Sequence, residues 1–465
     1  PKVNEPQAWL DMYNKYQEET LKNRLGIPLI YGIDAVHGHN NVYGATIFPQ
    51  NIGLGATNNP ELVYKISEAT SLEVAATGID WTFSPCLSSP EDYRWGRTYE
   101  GFSSDPVLVE KLGKAAVEGY QNALTNSGKK VVACAKHFIG DGNTEFGTGM
   151  NGLVDRGNTV LTTDELKEKL LPKYQAAIDA NVQTIMASYN SWNGVKCHGS
   201  KELLTDILKV EMGFEGFVIS DWQGIDEIPG NYKSDIITSI NAGVDMVMVS
   251  GQGQPYKKFM RLLKENVEEG SISMERIDDA VSRILKVKLR NGLFSNPIVQ
   301  NDNLQVIGSD DHRNIARQAV RESVVVLKNE NLIPISKESK SIVVAGRGAD
   351  NLGMQCGGWT INWQGGQGDI TIGTTILDGI KESVSTETKV IHSKDGTDLG
   401  NVSGDLAIVV IGEDPYTEFF GDKDNLDLLE EDIQTINNLK DKGYKVLVLL
   451  ISGRPMNIAD HLDNW

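Results

Sequence analysis

Gly216-Phe-Val-Ile-Ser-Asp-Trp222 is an apolar, strand-like run that stops on an acid and a tryptophan. A carboxylate at the C-terminal end of a buried parallel strand occupies the place where α/β barrels gather their chemistry, because the loops there open outward. The tryptophan beside it offers a flat apolar face that suits a ligand as well as a core. Similar runs lie on either side. They are Pro28-Leu-Ile-Tyr-Gly-Ile-Asp34, Phe48 to Leu54, Ile79-Asp-Trp-Thr-Phe-Ser84, Val131-Val-Ala-Cys-Ala-Lys136, Val182-Gln-Thr-Ile-Met-Ala-Ser188 and Val244-Asp-Met-Val-Met-Val249. Each is followed by turn residues and then a helical pattern, which implies a parallel sheet, and so many units in series favour a barrel over an open sheet. The runs give seven strands, so one strand of an eight-stranded barrel is irregular or lies upstream of Pro1.

The intervening helices have readable ends. Thr162-Thr-Asp-Glu165 has the form of a capping box, with Leu166, Leu170, Leu171, Tyr174, Ala177 and Ile178 on one apolar face. Ser200 caps the next helix, which buries Leu203, Leu204 and Ile207 and stops at Gly213. A helix from Met274 to Leu289 ends the barrel. The expected organisation is an α/β, (β/α)8-like TIM barrel over residues 1–293, a linker over 294–311 rich in Asn, Asp and Ser, and an α/β sandwich over 312–465. Expected strands of the sandwich are Val324 to Leu327, Ser341 to Gly346, Leu406 to Ile411 and Val446 to Ile451, with helices near 375–384 and 430–440. No closing strand is legible after Gly453-Arg-Pro455, so the sandwich reads as C-terminally incomplete.

At 465 residues the chain is long enough for two full cores. Its formal net charge of −19 argues against nucleic acid or an anionic membrane as the main partner and fits a neutral substrate. No stretch has the length and apolarity of a membrane span. Cys86, Cys134, Cys197 and Cys356 are widely spaced with no CxxC pair, so neither structural zinc nor a disulfide framework is expected.

The strand ends of the first domain present Asp34, Lys136, His137, Tyr189, Asp221 and Asp245, and a nearby loop presents Arg97. A single acid there is usually a solvated charge or a helix cap; it is the convergence on one barrel face that points to chemistry. Lys136 and His137 are consecutive, and neighbours in a strand face opposite ways, so the bland reading makes one of them a surface charge. In the second domain, Gly412-Glu-Asp-Pro-Tyr-Thr-Glu418 follows a buried strand and is crowded with acids. Trp359 and Trp363 lie in a glycine-rich segment, where exposed aromatics bind ligands more often than they fill cores. Gly346-Arg-Gly348 lacks the third glycine of a dinucleotide fingerprint, and Asp422-Lys-Asp424 lacks the glycine of a calcium loop. A hydrolytic metal around His37-Gly-His39, with Lys136, His137, His198 and Asp245 later on the barrel, is a competing possibility.

In this order the motifs resemble glycoside hydrolase family 3. They are Tyr31-Gly-Ile-Asp34, Phe48-Pro-Gln-Asn-Ile-Gly-Leu-Gly55, Arg94-Trp-Gly-Arg97, Lys136-His-Phe-Ile-Gly-Asp-Gly142, Ser188-Tyr-Asn-Ser-Trp-Asn-Gly194 and Ser220-Asp-Trp222, then Cys356-Gly-Gly-Trp359, Trp363, Pro415-Tyr-Thr-Glu418 and Ser452-Gly-Arg-Pro455. The likeness is greatest to the exo-β-glucanase and β-glucosidase branch. The resemblance implies Asp221 as nucleophile and Glu418 as general acid/base of a retaining, exo-acting hydrolase that removes terminal glucosyl units. It implies that Asp34, Arg97, Lys136 and His137 hold sugar hydroxyls, that Tyr189 lies under the reacting centre, and that Trp222 and Trp363 sandwich the next sugar. Where some members carry a further carboxylate this chain has Met150, with Asp155 as a substitute. Thr98 replaces a cysteine that plant members pair.

Two carboxyl groups in a retaining enzyme act about 5–5.5 Å apart and need no metal or organic cofactor. The expected substrates are β-glucosides or β-gluco-oligosaccharides, and the family resemblance favours an extracellular or periplasmic location. The alternatives are a metal-dependent barrel hydrolase around His37 and His39 and a catalytically impaired carbohydrate-binding fragment.

Overall fold

A computed structural model of the chain describes residues 1–465 except 124, 126, 127, 301, 302 and 401–404. Asn301 and Asp302 of the expected linker therefore lie outside the described residues. Two compact units divide between Ser323 and Val324.

In the first unit, Gly32–Ile33 pairs in parallel with Trp81–Thr82, Cys134–Phe138 with Thr184–Ala187, and that strand with Phe217–Ile219. Single parallel bridges join Trp81 to Val132 and Ile219 to Met246, so consecutive strands lie side by side in a TIM-barrel-like series. Alternate residues divide between two cores, as the two-residue period of a strand requires. Cys134, Met186, Phe217 and Ile219 gather with Trp81. Ala135, Ile185, Ala187 and Val218 pack with Leu62, Leu112 and Tyr174, which come from helices Pro60–Ala76, Pro106–Asn122 and Leu171–Asp179. One set fills the barrel and the other is covered by helices.

Helix ends follow local chemistry. Thr162 and Glu165 form a reciprocal capping box. The helix expected beyond them is divided into Thr163–Lys169 and Leu171–Asp179, with Pro172 early in the second piece because it has no N–H to give. The Ser200 hydroxyl accepts the Leu203 N–H at 3.3 Å at the start of Glu202–Glu211, and Gly213 turns out of that helix at φ +70°.

Three expectations need correction. Phe48 to Leu54 is not a barrel strand: Ile47 makes one antiparallel bridge to Gly38, and the chain then enters helix Asn51–Thr57. Pro49 removes a ladder donor there, and Phe48 and Leu54 are spent on the helix-packed core. The helix Asp310–Ser323 belongs to the first unit, beyond the expected domain boundary at 311. His312 donates Nδ1–H to wholly buried Glu73 at 2.8 Å, and Ala319 enters the barrel's outer core. Residues 324–327 form no strand; their side chains are 61–69% exposed. β-Branched residues suit a strand, but only a neighbouring strand makes one.

The second unit holds a parallel four-stranded sheet in the order Lys389–Ser393, Ser341–Ala345, Leu406–Gly412, Lys445–Ile451. The first of these was illegible because Lys389 and His392 are exposed, which breaks the apolar run. Val343, Val409 and Ile411 pack towards helix Glu430–Asp441 through Ile436 and Leu439. Ile342, Val344, Ile408 and Val410 face helix Ile376–Ser383 through Leu377 and Ile380. With a helix on each face this unit is an α/β sandwich. Among the described residues no helix is long and apolar enough to cross a membrane.

Candidate active site

Asp221 lies two residues beyond the end of strand Phe217–Ile219, after Ser220. Its backbone N–H donates to Nε2 of His198 at 3.0 Å, and its Oδ1 accepts the Trp222 N–H at 2.6 Å. Burial pushes His198 down to about 3, so the ring is neutral and Nε2 is free to accept. The ring also explains Gly224, where a Cβ would meet His198 at 2.4 Å. Ser220 ties the same turn to the next strand segment by accepting the Met248 N–H at 2.8 Å.

Facing Asp221 is a buried polar cluster. His137 Nε2 lies 3.5 Å from Asp221 Oδ2, and Nδ1 lies 2.7 Å from Asp141. Arg97 places one nitrogen 3.1 Å from His137 Nε2 and grips Glu100 with two bonds of 2.8 and 2.9 Å. Burial, with Arg97 and Lys136 alongside, holds His137 well below the usual imidazole range. The ring is therefore neutral, with its proton on Nδ1 towards Asp141 and a lone pair on Nε2. Burial opposes ionisation of Glu100, but Arg97 outweighs it and leaves the carboxyl lowered. Lys136 points to Asp34 at 3.3 Å; burial pulls its ammonium down, and Asp34 with Glu100 more than offsets this.

Lys136 and His137 are thus both buried, against the alternation expected of a strand. The register between Cys134–Phe138 and Thr184–Ala187 shifts between Ala135 and Phe138, and that irregularity turns both side chains towards the cluster. Tyr189 sits beside it. Its hydroxyl donates to the Trp222 carbonyl, and the Arg156 guanidinium lies 3.8 Å over its ring. Trp222 is 61% exposed and free to offer a flat face.

Two sequence candidates have other work. Asp155 is buried, accepts the Trp95 indole N–H at 2.8 Å and lies 3.5 Å from Arg156, so it braces the Arg94-Trp-Gly-Arg97 loop rather than presenting a carboxylate to ligand. Asp245 is buried and satisfied by the Val218 N–H and Lys209, each at 2.8 Å, and by Arg276. Sequence reasoning missed Glu100, Asp141 and Arg156 as parts of the site, and considered His198 only as a possible metal ligand. Only the proximity of Glu100 to Arg97 and of Asp141 to His137 along the chain could have flagged two of them.

The metal alternative finds little support in the side chains. His37 and His39 are buried, which pushes them down to about 4 and about 3. His37 Nδ1 is bound to the Phe48 carbonyl at 3.0 Å, and His39 Nε2 to Thr77 at 2.9 Å. Among the described residues the only cluster of three metal-capable side chains is Cys86, His137 and Asp141. There His137 is already shared between Asp141 and the cationic Arg97.

In the second unit, Glu418 opens a short helical turn, Glu418–Gly421, with a left-handed φ of +50°. Buried Thr417 before it donates its N–H to Gln364 Oε1 at 3.1 Å and accepts from the Gln364 amide. Trp363 is 43% exposed and meets Phe420 edge-on at 5.6 Å, and Phe420 stacks on Phe419 at 4.4 Å. Trp359, by contrast, is buried.

Residues 2–287 match the family model for the glycosyl hydrolase family 3 N-terminal domain, and residues 324–464 match that for its C-terminal domain. The chain belongs to glycoside hydrolase family 3. An exo-1,3/1,4-beta-glucanase from a Pseudoalteromonas species is 40% identical with a TM-score of 0.91, covering 100% of this chain and 59% of its own. A beta-glucosidase from Listeria innocua, solved in complex with glucose, is 32% identical with a TM-score of 0.85, covering 96% of this chain and 61% of its own. The lysosomal beta glucosidase of Dictyostelium discoideum is 33% identical over 96% of this chain and 58% of its own. The chain thus spans about three-fifths of the length of these relatives.

Proposed function

We propose that the chain is the catalytic part of a retaining, exo-acting β-glucosidase or exo-β-glucanase that releases glucose from non-reducing ends. The observation that carries this reading is the placement of Asp221 at a strand end, 3.5 Å from a neutral His137 within a ring of paired hydrogen-bonding groups. The relatives named as β-glucosidases and an exo-β-glucanase support it.

In this mechanism Asp221 attacks the anomeric carbon while Glu418 protonates the leaving oxygen, giving a covalent glycosyl-enzyme. Glu418 then takes a proton from water, and the water cleaves the ester with overall retention. Asp34, Arg97, Lys136 and His137 bind hydroxyls of the terminal glucosyl unit. Their cations and anions are already paired, so the sugar meets oriented donors and acceptors that need little reorganisation. Tyr189 lies under the reacting centre, and Trp222 and Trp363 flank the next sugar. Asp155 acts at one remove, through Trp95.

Proton NMR of hydrolysis of an aryl β-glucoside tests the reading. β-Glucose must appear first and mutarotate later. Initial α-glucose, or activity confined to xylosides, would overturn the stereochemical or the substrate assignment respectively.

A further inference from the structure

Two sequence motifs of the second unit have no role in the chemistry above: Pro415-Tyr-Thr before Glu418, and Ser452-Gly-Arg-Pro455. The structure brings them together. They follow the adjacent parallel strands Leu406–Gly412 and Lys445–Ile451. The strands part at a tight point: a Cβ on Gly412 would stand 1.7 Å from the Ile451 carbonyl oxygen.

Beyond that point one side chain holds the loop that carries Glu418. Arg454 is buried, and its Nε donates to the Tyr416 hydroxyl at 2.9 Å and to Glu413 at 3.3 Å. Another of its nitrogens donates to the Gly421 carbonyl, and the guanidinium lies 4.6 Å from the centroid of the Tyr416 ring. Its contacts therefore fall on both sides of Glu418. Glu413 completes the arrangement, accepting from Tyr416 at 2.9 Å and Ser452 at 2.7 Å, with Lys423 3.0 Å away. Only a planar fork with several donors makes these contacts at once; an ammonium does not. The left-handed backbone of Glu418 is a conformation that non-glycine residues keep only when their surroundings hold it.

We propose that Arg454 is a positioning residue for Glu418, clamping its loop at Glu413, Tyr416 and Gly421 so that the carboxyl is aimed for proton transfer. This rests on the reading of Glu418 as general acid/base. A loop held only for stability would lose activity on every substrate alike. A loop held for aim loses it where proton transfer matters.

The test compares wild type, Arg454→Lys, Tyr416→Phe and Glu418→Gln in the full chain. Each is assayed on 2,4-dinitrophenyl β-glucoside, whose leaving group needs no acid, and on a phenyl or alkyl β-glucoside, which does, with melting temperatures recorded. For Arg454→Lys, kcat/KM should fall roughly tenfold or more on the poor leaving group, within the span that acid/base catalysis contributes. It should stay within about threefold on the dinitrophenyl substrate, and azide should raise turnover by forming β-glucosyl azide. Equal losses on both substrates, or no loss, would overturn the clamp. If Arg454→Lys does not fold, Tyr416→Phe decides by the same criteria. If Glu418→Gln lacks the leaving-group dependence and the azide response, the acid/base reading has failed; if it shows them and Arg454→Lys does not, only the clamp has.

Discussion

His137 and Asp141, four residues apart, meet at 2.7 Å between Nδ1 and Oδ2, and this contact fixes which face of the imidazole turns to Asp221. With Nδ1–H committed to Asp141, Nε2 accepts from Arg97 and offers no proton to Asp221. Asp141→Asn can present its amide to Nδ1 and reverse the tautomer. We expect kcat/KM on aryl glucosides to fall at least about tenfold, the scale of a misdirected acid/base or orienting group.

The same residue has a signature in pH. Burial pushes the Asp141 carboxyl from 3.8 up to about 6, against the pull of Arg97 and Lys173. Between those values the folded chain holds a proton that the unfolded chain has released. The Asp141 contribution to stability is therefore full at the acid end and is lost as pH rises through about 6. Denaturant titrations across this range should show a downward stability slope in wild type that is flatter in Asp141→Asn. Identical slopes would contradict the assignment.

Far from Asp221 along the chain, Lys129 and Asp80 form a buried ion pair at 2.7 Å, and the Tyr13 hydroxyl donates to the same carboxylate at 3.0 Å. Burial lowers Lys129 and Asp80 opposes that shift. Removing one partner strands the other in the core, at a cost of about 3–5 kcal/mol. Asp80→Asn should destabilise the first unit by that order in chemical denaturation. It should leave KM unchanged at temperatures where the protein remains folded.

Trp222 and Trp363 are exposed, each in its own unit, and the proposed function gives each of them a contact with the sugar beyond the scissile bond. An aromatic contact of this kind contributes about 0.5–1.5 kcal/mol, up to roughly a tenfold change in affinity. Trp222→Ala and Trp363→Ala should raise KM for a β-linked disaccharide by about that factor. KM for an alkyl glucoside with a small aglycone should move much less.

The barrel series and the strand that leads to Asp221 were legible because each parallel strand is a compact apolar run followed by polar residues. Phe48 to Leu54 has apolar residues only at Phe48, Ile52 and Leu54, separated by Pro49-Gln-Asn51, and its second half became the start of a helix; so short a segment does not declare its period, and the proline that breaks a strand ladder is one residue inside it. Residues 324–327 had strand composition without a partner. The polar site was visible in part. Asp221, His137 and Arg97 stand on motifs, whereas His198 and Arg156 reach Asp221 and Tyr189 through folding alone. Asp155 and Asp245 show the converse: acids near strand ends whose charge is absorbed by Trp95 and Arg156, or by Lys209 and Arg276. A sequence displays the acid but not the donor that claims it.

Trapping with a 2-deoxy-2-fluoro-β-glucosyl fluoride, followed by peptide mapping, reaches the central assignment most directly. A fluorine at C2 slows both steps, and the good leaving group lets the first outrun the second, so the glycosyl-enzyme accumulates. One fluoroglucosyl ester on Asp221, absent from Asp221→Asn, is the predicted result. A label on any other carboxylate, or an active wild type that hydrolyses β-glucosides with inversion and never acquires a label, would contradict it.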